Sequence, residues 1–586
     1  MKKITALLLV IMLILSVLGS CGDSKETLNT LSNIASSETP VSSQAVDVNL
    51  YQNAIDTLNQ TEMKLDGTHE VSENLIVAIN NAEYTEPKNF IYMIGDGMGF
   101  NIVEITRAKY EDSLYQGKLA INQLPVQSSQ TTYSADAQVT DSAAGGTALA
   151  TGFKTSNSTI AMNHDDSERY KTLLELAAEK GKSTGVVATK SVTDATPATF
   201  TAHVSDRSLQ EDIAAQQLEK LTDGTLDVIL GGGQKYYTAA INKDELDAAK
   251  KASVTYTESW DEAEKASLPL AALFADEHID THDQNMPSVA QMTDLALDLL
   301  DDDENGFFLM VEGSQIDTKA HANELENEIK EMYDFDCAIA VAMRFVALNP
   351  DTVLVITADH ETGGLEIPAD ATPDTVGSSY YTTGDHTSKA VPVVAVGKGT
   401  EKLLGANENV DVARFFASAL GEDNFGEKSQ FTAIKGEFSD KDIKALTENN
   451  STLNNHTLIE KTKNGTLAIH YNNSHNALTI PGELLKVDGD LPNGMRAIHI
   501  TIKNTDEKTV LLPQLTAKIA YATETIVPQV AYIGGKSTIR VTYMLPQWAW
   551  TEKAEYIKQL TLSYTEGQQI NLELDDILLV TRVDNK

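Results

Sequence analysis

DTVLVITADH, residues 351 to 360, is an apolar run from Val353 to Ile356 closed by two polar residues, Asp359 and His360. Similar runs recur as NFIYMIG (89–95), STGVVATK (183–190), DVILGGG (227–233), GFFLMVEG (306–313) and VPVVAVGKG (391–399). Between them lie longer amphipathic stretches such as YKTLLELAAEKG (170–181) and NELENEIKEMYDFDCAIAVAMRFVAL (323–348). Continuous Val/Ile/Leu runs mark strands buried on both faces, and their alternation with helical stretches predicts α/β layering. The fold expected over 85–422 is therefore a doubly wound, mostly parallel sheet with helices on both sides. In such sheets ligands gather beyond the carboxyl ends of the strands, which directs attention to the polar residues after each run.

The remaining sequence is organised differently. Residues 423–450 are polar and charged and read as a linker; after them the hydrophobic period changes to two. Ile498, Ile500 and Ile502 alternate with polar residues, as do Ile539, Val541 and Tyr543, and Ile570, Leu572 and Leu574. With turn signals at Asn464-Gly465 and Gly534-Gly535, residues 451–586 read as an all-β sandwich. Trp548 and Trp550, two apart, would share one face if they lay on a strand, leaving open a carbohydrate platform or packing within the protein. Asp575 and Asp576 are open to binding calcium or simply ending a strand.

At the other end, MKKITALLLVIMLILSVLGSC has two lysines, a short apolar run and small residues before a cysteine. It resembles a bacterial lipoprotein signal, with Leu18 to Cys21 as the lipobox. This implies a signal peptide at 1–20, lipid attachment at Cys21, export, and anchoring to a bacterial membrane on the cell-surface or periplasmic side. The Ser/Thr-rich stretch that follows reads as a tether within a leading segment 21–84. The other cysteine, Cys337, falls at helical apolar spacing and reads as core, so no disulfide scaffold is present.

The 586 residues exceed the roughly 250–300 at which single cores stop growing, so several domains are expected. Against 45 Lys and Arg stand 85 Asp and Glu, a net charge of −40, which argues against nucleic acid as a partner.

The polar residues at the strand ends are Asp96, Asp141-Ser142, Asp194, Thr196, Glu312, Asp317, His321, Asp359-His360 and His386. Singly, each has an ordinary reading as a helix cap, turn residue or surface pair. Gathered at one sheet edge, the carboxylates would repel unless cations lay among them, which predicts divalent metals. Mixed His and Asp donors suit zinc, and an all-oxygen set suits magnesium. Ser142 opens a stretch of small residues, SAAGGTALATG, whose helix N-terminus favours an anion, and a nearby metal would make the serine a nucleophile. No histidine stands near it in sequence, and no general base is required.

These residues lie in motifs that resemble the alkaline phosphatases over about 85–422: IGDGMG around Asp96, VTDSAAGGTALATG around Ser142, DATPATFTAHVSDR from Asp194 to Arg207, DVILGGG, VEGSQIDTKAH from Glu312 to His321, TADHETGG around His360 and GDHTSKAVPVVAVG around His386. The resemblance implies that 85–422 is a catalytic domain hydrolysing phosphomonoesters through a phosphoserine at Ser142, with Arg207 gripping the phosphate. It implies two zinc ions, one held by Asp317, His321 and His386 and one by Asp96, Asp359 and His360. It further implies one magnesium ion at Asp96, Thr196 and Glu312, with Asp194 beside it. Thr318 stands where some members carry a cationic residue, which leaves the phosphate contact there undefined. His203 is either a supporting group near the site or a buried structural histidine. A phosphodiesterase of the same superfamily and a surface glycan-binding lipoprotein remain alternatives, and a homodimer is open. A sulfatase would need a C/S-x-P-x-R pattern, which Ser142-Ala-Ala-Gly-Gly does not provide.

Overall fold

The computed structural model describes residues 48–581 apart from 62, 64, 66–70, 112–118, 164–166, 282, 284, 368–379, 405, 428–429, 436–437, 453–457, 472–476, 486–493, 509, 527, 529–531, 534–535, 537 and 565–568. Cys21, the signal and tether expectations, and the Gly534-Gly535 turn lie outside the described residues. No helix among the described residues is long and apolar enough to cross a membrane.

The six apolar runs all form strands of one ten-stranded sheet. In chain order its strands are β1 (Asn89–Gly95), β2 (Val126–Thr131), β3 (Ser183–Ser191), β4 (Val228–Gly232), β5 (Thr255–Thr257), β6 (Leu270–Leu273), β7 (Phe307–Gly313), β8 (Thr352–Thr357), β9 (Val391–Val396) and β10 (Ala406–Glu408). Their spatial order is β10-β2-β9-β8-β1-β7-β3-β4-β6-β5. The neighbours of β1, namely β7 and β8, run parallel to it, whereas β9 is antiparallel to both β8 and β2. Along β1, Ile91 and Met93 enter one hydrophobic core while Phe90, Tyr92 and Ile94 enter the other. This is why the run carries no polar alternation: both faces of the sheet are covered. The polar β2, VQSSQT, and the short β5, β6 and β10 lacked a run long enough to single them out.

Four helices position the chemistry: α1 (Ser142–Thr151), α2 (Ala195–Thr201), α3 (Gln315–His321) and α4 (Leu325–Leu348). Cys337 is a buried free thiol on α4. Helices Val48–Leu58 and Glu73–Asn81 are also part of this domain, since Leu58, Leu75 and Ile79 join the core that α4 enters and the Tyr51 hydroxyl donates to the Ala347 carbonyl at 2.9 Å.

Among the described residues the C-terminal region forms antiparallel sheets of six, four and two strands, with a separate core containing Ile498, Ile500, Ile502, Val541, Tyr543, Ile570, Leu572 and Leu574. Asn464-Gly465 lies in the turn between strands Leu458–Lys461 and Leu467–Tyr471, with Gly465 at φ 86°. The expected linker at 423–450 is corrected: Gln430–Lys435 pairs with the long strand Ile570–Thr581, and Phe438 and Leu446 are buried in the sandwich core. Polar composition misled there because one strand and one helix contribute only a few apolar side chains to a core already built.

The strand placement of the tryptophans is corrected, while the packed reading left open for them holds for Trp550. Gln547–Thr551 is a short 3-10 helix, so Trp548 and Trp550 do not share a strand face. Trp550 is buried with Tyr133, Ala497, Met544 and Val580, edge-on to Tyr133 at 5.6 Å and under the Arg496 guanidinium at 4.4 Å. Asp575 and Asp576 lie within Ile570–Thr581 rather than at its end. The sandwich thereby packs on the segment that follows β2 and leads to Ser142. Truncating Trp550 to alanine is expected to cost about 3–5 kcal/mol of unfolding free energy in denaturant, the range for deleting a buried aromatic ring. A cost under about 1 kcal/mol would show that this contact is not a packed interface.

Candidate active site

The carboxyl ends of β1, β3, β7 and β8 meet at one edge of the sheet. Asp96 follows β1, Lys190 is at the end of β3, Glu312 is near the end of β7, and Asp359-His360 follows β8. Asp317 and His321 sit one turn apart on α3. His386 precedes β9, and because β9 runs antiparallel its beginning lies at the same edge as the ends of its neighbours.

Ser142 is the first residue of α1, which is capped by Asp141, whose Oδ1 accepts from the Ala144 amide at 3.0 Å. The close approach of α1 to β8 requires Gly145, where a Cβ would lie 2.8 Å from the Asp359 carbonyl oxygen. Ser142 Oγ lies 3.0 Å from His360 Nε2, so the serine does have a histidine beside it, brought from 218 residues away. Arg207 donates from Nη1 to Asp141 Oδ2 and from Nη2 to Asp194 Oδ1, both at 3.2 Å. Asp194 itself caps α2 and accepts from the Ala195 amide at 2.7 Å. The arginine is thus held by the caps of two helices.

The histidines have their orientation assigned by their neighbours. His321 Nδ1 faces the Gly384 carbonyl at 2.6 Å and His386 Nδ1 faces the Thr140 carbonyl at 2.9 Å, so both Nδ1 atoms must carry the proton. Their Nε2 lone pairs then point at each other across 3.0 Å, with Asp317 Oδ1 at 3.2 Å from His321 and 3.5 Å from His386. In the neutral rings the two Nε2 lone pairs have no donor between them. His360 repeats the pattern: its Nδ1 lies 3.1 Å from Thr362 Oγ1, which donates to Asp317 Oδ1 at 2.8 Å. That leaves His360 Nε2 facing Asp359 Oδ2 at 3.2 Å and Asp96 Oδ1 at 3.5 Å, and Asp96 Oδ1 has no hydrogen-bond partner. Asp317, His360 and His386, and likewise Asp96, Asp359 and His360, bring ligand atoms within 4.8 Å of one another. Both donor sets fit divalent cations of the zinc type.

Burial, with the charges of Asp317 and Asp359 adding to it, pushes Asp96 well above the usual carboxylate range. Burial also raises Asp359 to about 6 and Glu312 to about 8. Such carboxylates are costly to ionise without cations among them, which matches the donor geometry.

The alkaline phosphatase family profile matches residues 87–380, half of the chain. Alkaline phosphatase 3 of Bacillus subtilis is 33% identical over 416 residues, covering 57% of this chain and 89% of that protein. The chain belongs to the alkaline phosphatase family. Streptomycin-6-phosphate phosphatase of Streptomyces griseus is 31% identical over 408 residues, covering 57% of this chain and 90% of its own length. The solved alkaline phosphatase of the Antarctic bacterium TAB5 superposes with a TM-score of 0.52 at 33% identity, over 58% of this chain and 99% of that one. The protein is therefore a phosphatase of a metal-dependent family, and its large mixed sheet is the alkaline phosphatase fold.

Within that family frame the other expected residues divide. Thr196 Oγ1 donates to Asp359 Oδ2 at 3.4 Å, and Glu312 Oε2 accepts from Ser314 Oγ at 2.5 Å, so both adjoin the centre. Thr318 is exposed on α3. His203 belongs to a separate network: its Nδ1 meets the Ala161 carbonyl and its Nε2 meets Glu175 Oε1, each at 2.9 Å, and Lys220 also binds Glu175. It is a structural histidine.

Burial alone would raise the Glu175 pKa, but His203 and Lys220 outweigh it and hold the carboxylate at about 2 against an ordinary 4.5. A depressed carboxylate stabilises the fold above its unfolded pKa and loses that contribution as pH falls toward its folded one. Glu175→Gln is therefore expected to be less stable than the parent by about 2 kcal/mol at neutral pH, with the gap closing toward about pH 3. Urea unfolding of both proteins at the two pH values checks this, and a pH-independent gap would refute it.

Two residues at the site were not read from the sequence. Thr362 links His360 to Asp317 through its hydroxyl, and the TADHETGG motif contains it without indicating that role. Lys190 is the larger omission: Nζ donates to Asp96 Oδ2 at 3.0 Å and to Asp317 Oδ2 at 3.2 Å from a side chain only 8% exposed. It closes an apolar run, where a lysine reads as the strand's solvent-facing end.

Proposed function

We propose that this phosphatase hydrolyses phosphomonoesters by attack of Ser142 on phosphorus, giving a phosphoserine that water then opens to release inorganic phosphate. The observation that carries this is the convergence of acceptors from Asp317, His321 and His386 beside a second set, Asp96, Asp359 and His360, with Ser142 Oγ 3.0 Å from His360 Nε2. Two zinc ions in these sets would supply Lewis acidity at the attacking and leaving oxygens. Asp141 and the small residues of α1 bring Ser142 to the helix N-terminus, where the free amides favour a phosphoryl oxygen. Arg207, fixed in orientation by Asp141 and Asp194, offers a planar fork that matches two phosphate oxygens, which a lysine would not reproduce. The positive charge of the centre is local, so the net charge of −40 does not prevent anion binding. The third set, Asp96, Thr196 and Glu312, has only oxygen donors, the type magnesium takes, but Asp96 Oδ2 in it is already bonded to Lys190.

The reading includes export as a lipoprotein anchored through Cys21, supported by the sequence preceding it. Turnover of a chromogenic phosphomonoester by zinc-loaded protein, beside the corresponding diester, tests the reaction, and acid quenching followed by mass spectrometry of the Ser142 peptide tests the intermediate. Diester turnover exceeding monoester turnover would replace this reading with that of a phosphodiesterase.

A further inference from the structure

Lys190 reaches an oxygen of Asp96, the residue that the family resemblance shares between the second zinc set and magnesium. β3 carries it into the centre between β7 and β4, and every residue of the strand after Ser183 is buried. An ammonium is buried this way only among carboxylates that need it, and Nζ meets two of them, Asp96 Oδ2 at 3.0 Å and Asp317 Oδ2 at 3.2 Å. The two oxygens of Asp96 are thereby given different tasks. Oδ1, without a hydrogen-bond partner and 3.5 Å from His360 Nε2, faces the second zinc set. Oδ2, the oxygen left for a third ion to share, is occupied by Lys190. The other members of that third set are engaged as well, Glu312 by Ser314 and Thr196 with Asp359. Magnesium demands oxygen ligands at about 2.0–2.1 Å in near-octahedral array. An ammonium bonded to the same Asp96 oxygen would stand within close repulsive range of such an ion.

The charges agree. Two divalent ions carry four positive charges against Asp96, Glu312, Asp317 and Asp359, and Lys190 adds a fifth beside the two carboxylates it bonds. The exposed Thr318 contributes no charge from α3, so the fixed cation enters from β3 instead.

We propose that Lys190 is the third cation of the centre, taking the place of magnesium, so that this chain holds two divalent ions and does not require the third. The inference rests on the two-zinc reading of the site, but its test counts metal rather than turnover.

The full chain is stripped with a chelator, dialysed against zinc and magnesium together, freed of excess ions, and analysed for metal by mass spectrometry. Two zinc ions per chain with substoichiometric magnesium are expected for the parent protein. Lys190→Met, which keeps the length and removes the charge, is expected to gain one magnesium per chain, while Lys190→Arg stays at two divalent ions. Three divalent ions in the parent protein, or equal magnesium content in the parent and Lys190→Met, would overturn the inference. Should Lys190→Met fail to fold by circular dichroism, the parent and Lys190→Arg counts still decide. A parent protein with two zinc ions but no monoester turnover would instead count against the reaction and leave the role of Lys190 standing.

Discussion

Ser142→Ala is expected to lower kcat on a phosphomonoester by at least about three orders of magnitude, in the range seen when a covalent nucleophile is removed. The substitution deletes one oxygen from a helix start that Asp141 caps independently, so α1 and its approach to β8 should persist. Arg207 also keeps its partners Asp141 and Asp194, and phosphate binding should therefore change far less than turnover. The informative result is this split between kcat and inorganic phosphate affinity, with no phosphate increment on the peptide spanning position 142. Retention of more than about a tenth of the activity would exclude a phosphoserine route, because no remaining group replaces the oxygen that attacks.

Chelation is the second large effect. Removing divalent ions is expected to abolish phosphomonoester turnover to below about one part in a thousand and to lower the thermal midpoint, with zinc restoring both. The stability effect follows from the same geometry as the activity. Without cations, the lone pairs of His321 and His386 face each other at 3.0 Å, and Asp96 Oδ1 remains buried without a partner. An ion present at about a thousand times its dissociation constant stabilises the native state by about 4 kcal/mol, so the shift should be several degrees or more. Full activity in protein shown to be metal-free would remove the basis for both donor sets.

Much of this site was legible in the sequence because its groups follow recognisable strands. Asp96, Asp359 and His360 each sit within a few residues of the end of an apolar run, and in a parallel sheet those ends must lie together. Asp317 and His321 are four apart, a spacing that puts them on one helix face. Ser142 was marked by the small residues behind it, for which Gly145 now gives the reason. The sandwich was legible from its period of two, yet its beginning was placed too late, since pairing of Gln430–Lys435 with a strand more than a hundred residues away leaves no local signature.

What the sequence by itself determined was the layered α/β fold, the family, and the identity of the metal-type donors, because hydrophobic period and strand-end chemistry are local properties. Only the tertiary structure decided which atoms meet. His386 reaches the centre because β9 runs antiparallel, Ser142 acquires His360 as a neighbour across 218 residues, and of the two readings open for Trp550 the packed one is realised, against Tyr133. Lys190 shows the division most clearly. Its position at the end of an apolar run is plain in the chain, but the direction of its side chain depends on β7 and α3 standing beside β3 with Asp317 turned toward it. Those contacts span well over a hundred residues, and the burial that makes the charge consequential exists only once the sheet is assembled.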